Sequence, residues 1–198
     1  MKKYTLQEEK QIFLNTYWPG RGSDDSETIA LTSAINSAVR HNPTYTQGLT
    51  HQHKQEAIEF WREQLLQKGE KYLTEPQTLE TYLTDVIEIR DAINSRYRCR
   101  FYNNVSEGIR IAHCQKSFAI YLKYRWCQST AMPTPPACPV DRTILEECRI
   151  RNIAWTRMDD INSLRQLLDS IGEATKEAGL PLAEWELQTF NRFNNPKL

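Results

Sequence analysis

The chain has 198 residues, with 25 Lys and Arg against 25 Asp and Glu, so it carries no net charge and no global attraction to polyanions. That length supports one sizeable core, or two lobes sharing a cleft. Its five cysteines (Cys99, Cys114, Cys127, Cys138 and Cys148) lie 15, 13, 11 and 10 residues apart, which excludes a closely spaced metal or iron–sulfur loop. An odd count also argues against a secreted disulfide framework. The start, Met1-Lys2-Lys3-Tyr4, has no apolar signal core, and no run nears the roughly 18 apolar residues of a membrane span. These features predict a cytoplasmic protein in a reducing compartment, with no membrane contact, no cofactor and no metal. The pair His51 and His53 has no further ligand cluster nearby and reads as a surface pair.

Residues 1–17 are mixed, with an apolar end at Ile12, Phe13, Leu14, Tyr17 and Trp18. Pro19-Gly20-Arg21-Gly22-Ser23-Asp24-Asp25 is a loop, and Ser23, Asp24 or Ser26 can cap a helix running through Ile29, Leu31, Ala34, Ile35 and Val39. Trp18 and Asp24 are pocket candidates, and they read equally as a structural tryptophan beside a capping loop. Asn42-Pro43 stops this helix, and a second helix follows through Ala57, Trp61 and Leu65 to Gly69. Pro76 opens a third, with Leu79, Leu83, Val86, Ile87 and Ile93 on one face. Arg96, Arg98 and Arg100 then alternate with Tyr97, Cys99 and Phe101. This pattern fits a DNA-backbone contact or a short strand-like connector.

From Ser106 the chain reads S-E-G-I-R-I-A-H-C-Q-K-S-F-A-I-Y-L-K, passes a proline-rich loop, and resumes at C-P-V-D-R-T-I-L. Ile111, Cys114, Phe118, Leu122 and Arg125 fall at helical spacing and face inward, while Lys116 and Lys123 lie two turns apart on another face. Near a helix start Lys116 sits where amide groups and the dipole favour phosphates. Asp141 is placed to cap a helix from Arg142 to about Ile153. A further helix spans Asp160 to Ala178 with Gly179 as its stop, and Pro181 opens the last, carrying Trp185 and Phe190. No strand alternation survives over a useful length. The prediction is an all-α fold, one unit over 1–198, with lobes 30–105 and 106–155 and the segments 1–29 and 156–198 packing together.

Between Arg96 and Arg157 there are eleven basic residues against four acidic ones, a local excess of seven. A basic middle between more acidic ends suits a one-faced DNA footprint, and it also suits ordinary helix surfaces. On pattern alone Lys116 is an exposed lysine and Asp141 a helix cap. A lysine beside a carboxylate also suits Schiff-base chemistry at a sugar C1′: the amine attacks, the base departs, and the carboxylate takes the proton and stabilises the cation.

The stretch Q-K-S-F-A-I-Y-L-K followed by a long loop and P-V-D-R resembles the catalytic core of the helix-hairpin-helix DNA glycosylases, closest to their archaeal 8-oxoguanine branch. Ala112 and Cys114 stand where that family has hairpin glycines, with Gly108 taking part of their task. The resemblance implies a two-lobed fold with a central cleft, and a monomer acting on double-stranded DNA with a modified base. It makes Lys116 the nucleophile and Asp141 its assistant, with Gly108, Arg110, His113, Gln115 and Arg142 as backbone contacts. Trp185, on a late helix, is similar to an aromatic of that branch's base pocket, and it reads equally as a lid on the core. The implied activity is a glycosylase with abasic-site lyase action. Its target is an oxidised purine (repair), or a hypermodified base such as glucosyl-hydroxymethylcytosine in phage DNA (antiphage defence). Two other readings remain: a non-catalytic hairpin DNA-binding module, and an all-α interaction protein.

Overall fold

The structure is a computed structural model and describes residues 4–17, 26–40, 44–102 and 107–194. Among these residues every regular element is helical: eight α-helices and four short 3-10 turns, with one isolated extended bridge between Tyr45 and Phe101. The expectations placed on Trp18, Asp24 and the loop between them fall outside the described residues.

Cap chemistry sets most of the helix starts. Thr50 opens α3 (His51–Gly69) by accepting from the His53 amide at 3.2 Å. Thr78 opens α4 (Leu79–Tyr97) by accepting from Thr81 at 3.1 Å. Pro76 therefore precedes this helix rather than starting it, because the threonine oxygen supplies the missing partner for a first-turn amide. Asp160 does the same for α7 (Ile161–Thr175) through Ser163 at 2.8 Å. The remaining helices are α1 (Leu6–Tyr17), α2 (Ser26–Val39), α5 (Ile111–Gln128), α6 (Arg142–Glu147) and α8 (Leu182–Asn194).

Helix α5 is the axis of the molecule. Fifteen of its eighteen residues are buried, which a one-sided stripe cannot produce, so neighbours cover it nearly all round. Helix α2 makes the most extensive contact with it. Ala30, Ala34 and Ala38, all buried and four residues apart, remove bulk along that contact and let the two backbones approach. On the other side Phe118 stacks on Tyr82 at 5.6 Å and meets Tyr72 edge-on at 5.4 Å. Trp61 is fully buried and donates its indole N–H to Ser117 Oγ at 3.1 Å. Each such side chain contributes about 1.5–3 kcal/mol by burial, and Trp61→Ala would cost about 3–5 kcal/mol. Helix α1 closes the remaining face against α5 and α8, carrying Phe13 and Leu14 inward.

Helix α6 is shorter than the sequence predicts. It stops at Glu147, and Arg149 takes a left-handed conformation at φ 58°. The Ile150 amide donates to Leu145 O at 2.8 Å and the Arg149 amide to Glu146 O at 3.0 Å, the two bonds of a Schellman stop. No glycine marks this stop, and the helical pattern reads through it. Residues 149–157 instead form a strap with a second left-handed residue, Asn152 at φ 62°, and a closing 3-10 turn at Trp155–Arg157.

Candidate active site

Lys116 lies in the second turn of α5, and Asp141 is the residue before α6. The proline-rich loop brings them together by being packed rather than loose: Met132, Ala137, Cys138 and Val140 are all buried. Gln115 supplies the last constraint. It is fully buried, donates to Val140 O at 2.8 Å and accepts from the Val140 amide at 3.1 Å. The residue before the lysine thus holds both polar groups of the residue before the aspartate. One neutral amide fixes the register of two charged side chains.

The outcome is a Lys116 Nζ to Asp141 Oδ2 distance of 3.2 Å, with the side chains 10% and 21% exposed. The other carboxylate oxygen, Oδ1, accepts from the Ile144 amide at 3.3 Å and caps α6. The cap expected from Pro139-Val140-Asp141 and the proximity to Lys116 are therefore not alternatives: a carboxylate has two oxygens, and each has its own partner. Trp155, from the strap, lays its ring 4.9 Å from the same amine.

Two cavities meet at this pair. The larger, about 1110 Å³, runs between α6 and the strap, with Trp155, Ile153 and Arg151 on the strap side. The smaller, about 350 Å³, lies behind, walled by Phe13, Tyr17, Tyr124 and Phe190. Lys116, Asp141 and Thr143 line both, so the ion pair stands on the partition between them. The smaller recess also holds a buried ion pair, Lys123 Nζ to Glu186 Oε1 at 2.8 Å, with exposures of 7% and 3%. Lys123 lies 3.8 Å from the Phe190 ring centre and 4.8 Å from that of Phe13. Burial pushes the Glu186 carboxyl above its usual range, against the pull of Lys123. Asp141 adds to the upward push, and Lys116 opposes it.

The hairpin residues occupy other places than a phosphate grip requires. Gly108 is buried at φ 66°, and a Cβ there would meet Asn94 Oδ1 at 2.3 Å. Asn94 itself spans both polar groups of Ile109, at 2.7 and 2.9 Å. Arg110 pairs with Glu107 and stacks 4.2 Å from the Tyr102 ring. His113 is 2% exposed and shares a 2.9 Å hydrogen bond with Tyr102. Burial first, then Arg110 and Lys116, bring its pKa down to about 4. The first amides of α5 are also occupied. Ile111 donates to Asp159 Oδ1 at 3.0 Å and Ala112 to Met158 O at 2.9 Å, so the free amides expected at this helix start are absent. Of the five expected backbone contacts only Arg142 is held out to solvent, its side chain 82% exposed and 4.0 Å from Glu146.

Trp185 is half-buried and lines neither cavity. On α8 it is Glu186, Phe190 and Asn194, at four-residue steps along one face, that reach the smaller recess. Sequence reading also passed over Trp155, which followed an overlong helix. It placed Lys123 on a face other than the apolar stripe, with no signal for the Glu186 carboxylate that α8 lays against it. Among the described residues no cluster of three or more His, Cys, Asp or Glu could hold a metal, and no helix is long and apolar enough to cross a membrane. Comparison of the chain with protein-family models, with curated proteins and with solved structures finds no match.

Proposed function

We propose that this protein is a DNA glycosylase with abasic-site lyase action, using Lys116 as nucleophile and Asp141 as its assistant. The observation that carries the reading is the 3.2 Å approach of an amine and a carboxylate at the junction of two cavities, on a chain whose motif resembles that family's core. An everted nucleotide enters the larger cavity. Lys116 Nζ attacks C1′ and the C1′–N bond to the base breaks. Asp141 Oδ2 takes the proton that the amine gives up and faces the cationic sugar in the transition state. The aminal left at C1′ opens as its C1′–O4′ bond breaks: Asp141 returns the proton to O4′, and the nitrogen lone pair forms the C1′=N imine. This makes the C2′ hydrogen acidic, and its loss expels the 3′ phosphate. Trp155 keeps bulk water from one side of the amine, and Gln115 holds the carboxylate in register.

The base is an oxidised purine or a hypermodified base such as glucosyl-hydroxymethylcytosine. Ligand sites commonly occupy about 300–1,000 Å³. A cavity of about 1110 Å³ with a recess of about 350 Å³ behind the nucleophile has room beyond a purine, which favours the bulkier class. The test is borohydride trapping. Wild type is expected to form a covalent adduct with duplex DNA bearing an abasic site, and Lys116→Gln to form none. Asp141→Asn is expected to trap about 10²-fold or more slowly. Strand breaks in modified against unmodified genomic DNA then sort the two base classes. An absent wild-type adduct rules out the lyase step, and retained DNA binding in that case leaves a non-catalytic module.

A further inference from the structure

Most of the hairpin's described polar groups are engaged inside the fold, which points to another surface for gripping a duplex. We propose that the strap 149–157 is the duplex-facing surface, with Arg149, Arg151 and Arg157 on phosphates and Ile153 entering the base stack as a wedge. Three independent observations meet there. First, these three arginines are exposed and, among the described residues, have no hydrogen-bond or ion-pair partner for their guanidinium groups. Most other described arginines are paired, among them Arg62 with Glu59, Arg100 with Glu56, Arg110 with Glu107 and Arg125 with Glu27. Arg40 and Arg96, which lack an ion pair among the described residues, stand singly, just past α2 and on α4. In a chain without net charge, a run of unmatched guanidinium groups marks where an external anion supplies the balance. Second, Ile153 is 43% exposed, one of two large apolar side chains left in solvent among the described residues. Third, Ile153 and Arg151 line the mouth of the cavity that holds Lys116 and Asp141.

The occupant that fits is duplex DNA. Three exposed arginines within nine residues offer several phosphates a partner each, and planar guanidinium groups bind phosphate oxygens in pairs. An aliphatic side chain between them, at the edge of a cavity that receives one nucleotide, is placed to fill the gap that the nucleotide leaves in the stack. The phosphate grip stands on charge and exposure alone. The wedge role of Ile153 rests on the glycosylase reading above.

The experiment separates these parts. Duplex DNA with an abasic site, and with 2-aminopurine beside it, is titrated with the full chain at several salt concentrations. The triple variant Arg149→Gln, Arg151→Gln, Arg157→Gln is expected to bind about tenfold or more weakly at low salt. Its slope of log affinity against log salt is expected to shrink by about 2–3 units, near 0.9 per lost phosphate contact. At saturating protein it still forms the borohydride adduct, because the nucleophile is untouched. Ile153→Ala keeps the salt slope but loses most of the aminopurine fluorescence gain, and Ile153→Leu restores it. Arg110→Gln changes neither readout. The grip is overturned if the triple variant, with an unchanged melting temperature, retains wild-type affinity and slope, or if Arg110→Gln reproduces its losses. The wedge is overturned if Ile153→Ala unstacks the base as well as wild type does. A wild type that binds through the strap yet forms no adduct would refute the glycosylase reading while leaving the grip standing.

Discussion

Between Glu107 and Lys116 the polar side chains and first amides are largely engaged within the protein, whereas between Arg149 and Arg157 the guanidinium groups have no partner among the described residues. Both segments carry arginines, and both approach the same amine. The first is a cornerstone: Gly108, Asn94, Gln115 and Asp159 make it rigid, and rigidity keeps Lys116 Nζ within 3.2 Å of a carboxylate that lies 25 positions along the chain. The second has weaker internal ties and keeps its charges for something outside. A basic residue near a nucleophile is therefore poor evidence of contact with substrate until its partners are counted.

That contrast breaks most visibly under substitutions in the rigid segment, which should unfold the protein before they alter binding. Gly108→Ala has the largest expected effect. The residue lies at φ 66°, and its new Cβ must displace an asparagine that satisfies two buried backbone groups. About 3 kcal/mol of stability should disappear in urea melts. A loss under about 1 kcal/mol would mean that Asn94 moves aside freely.

Acid comes next. His113 is held neutral down to about 4, whereas an unfolded imidazole takes its proton near 6.5. Between those values the unfolded chain binds a proton that the native one refuses, so stability falls as the pH drops, by up to about 3 kcal/mol. Glu186 acts with the opposite sign. Its raised folded pKa favours the native state in acid, and that contribution is lost as the pH rises through it. His113→Leu should flatten the acid limb of a melting-temperature series, and an unchanged limb would assign the slope to other groups.

Gln115→Leu should cost about 2 kcal/mol, since it strands the buried amide and carbonyl of Val140. It should also slow imine trapping at saturating DNA with little change in binding. Gln115→Glu, which keeps one acceptor, should recover part of the rate only in its protonated form, at lower pH. Loss of stability with a wild-type trapping rate would make Gln115 a core residue and nothing more. Smallest of all, the strap arginine changes should leave melting within about 0.5 kcal/mol of wild type, and a larger shift would reveal unrecognised structural ties.

The sequence made some of this legible and hid the rest for reasons that can be named. Asp141 reads as a cap because Pro-Val-Asp before an apolar turn is a local signal, and capping needs only local bonds. The Lys116 stripe reads as helical because Ile111, Cys114, Phe118 and Leu122 keep the period. That α5 would be buried on its polar face too is written in α1, α2, α3 and α4 and in Glu186 of α8, not in α5. For the same reason His113 and Gln115 read as DNA-backbone contacts rather than buried groups, and nothing local pointed to the carboxylate that covers Lys123. The strap was hidden by a stop without glycine, since Arg149 enters the left-handed region under the pull of Ile150 and Leu145. With α6 read as too long, Trp155 could not be placed beside the amine.

Asp141 begins α6 and Arg149 follows its end, with six residues between the caps, a rod about 9 Å long. The carboxylate that serves the amine and the first guanidinium of the strap are two ends of one lever. Arg192 of α8 clamps its far end through Glu147. A duplex seated on Arg149 would brace that lever and steady the aim of the carboxylate.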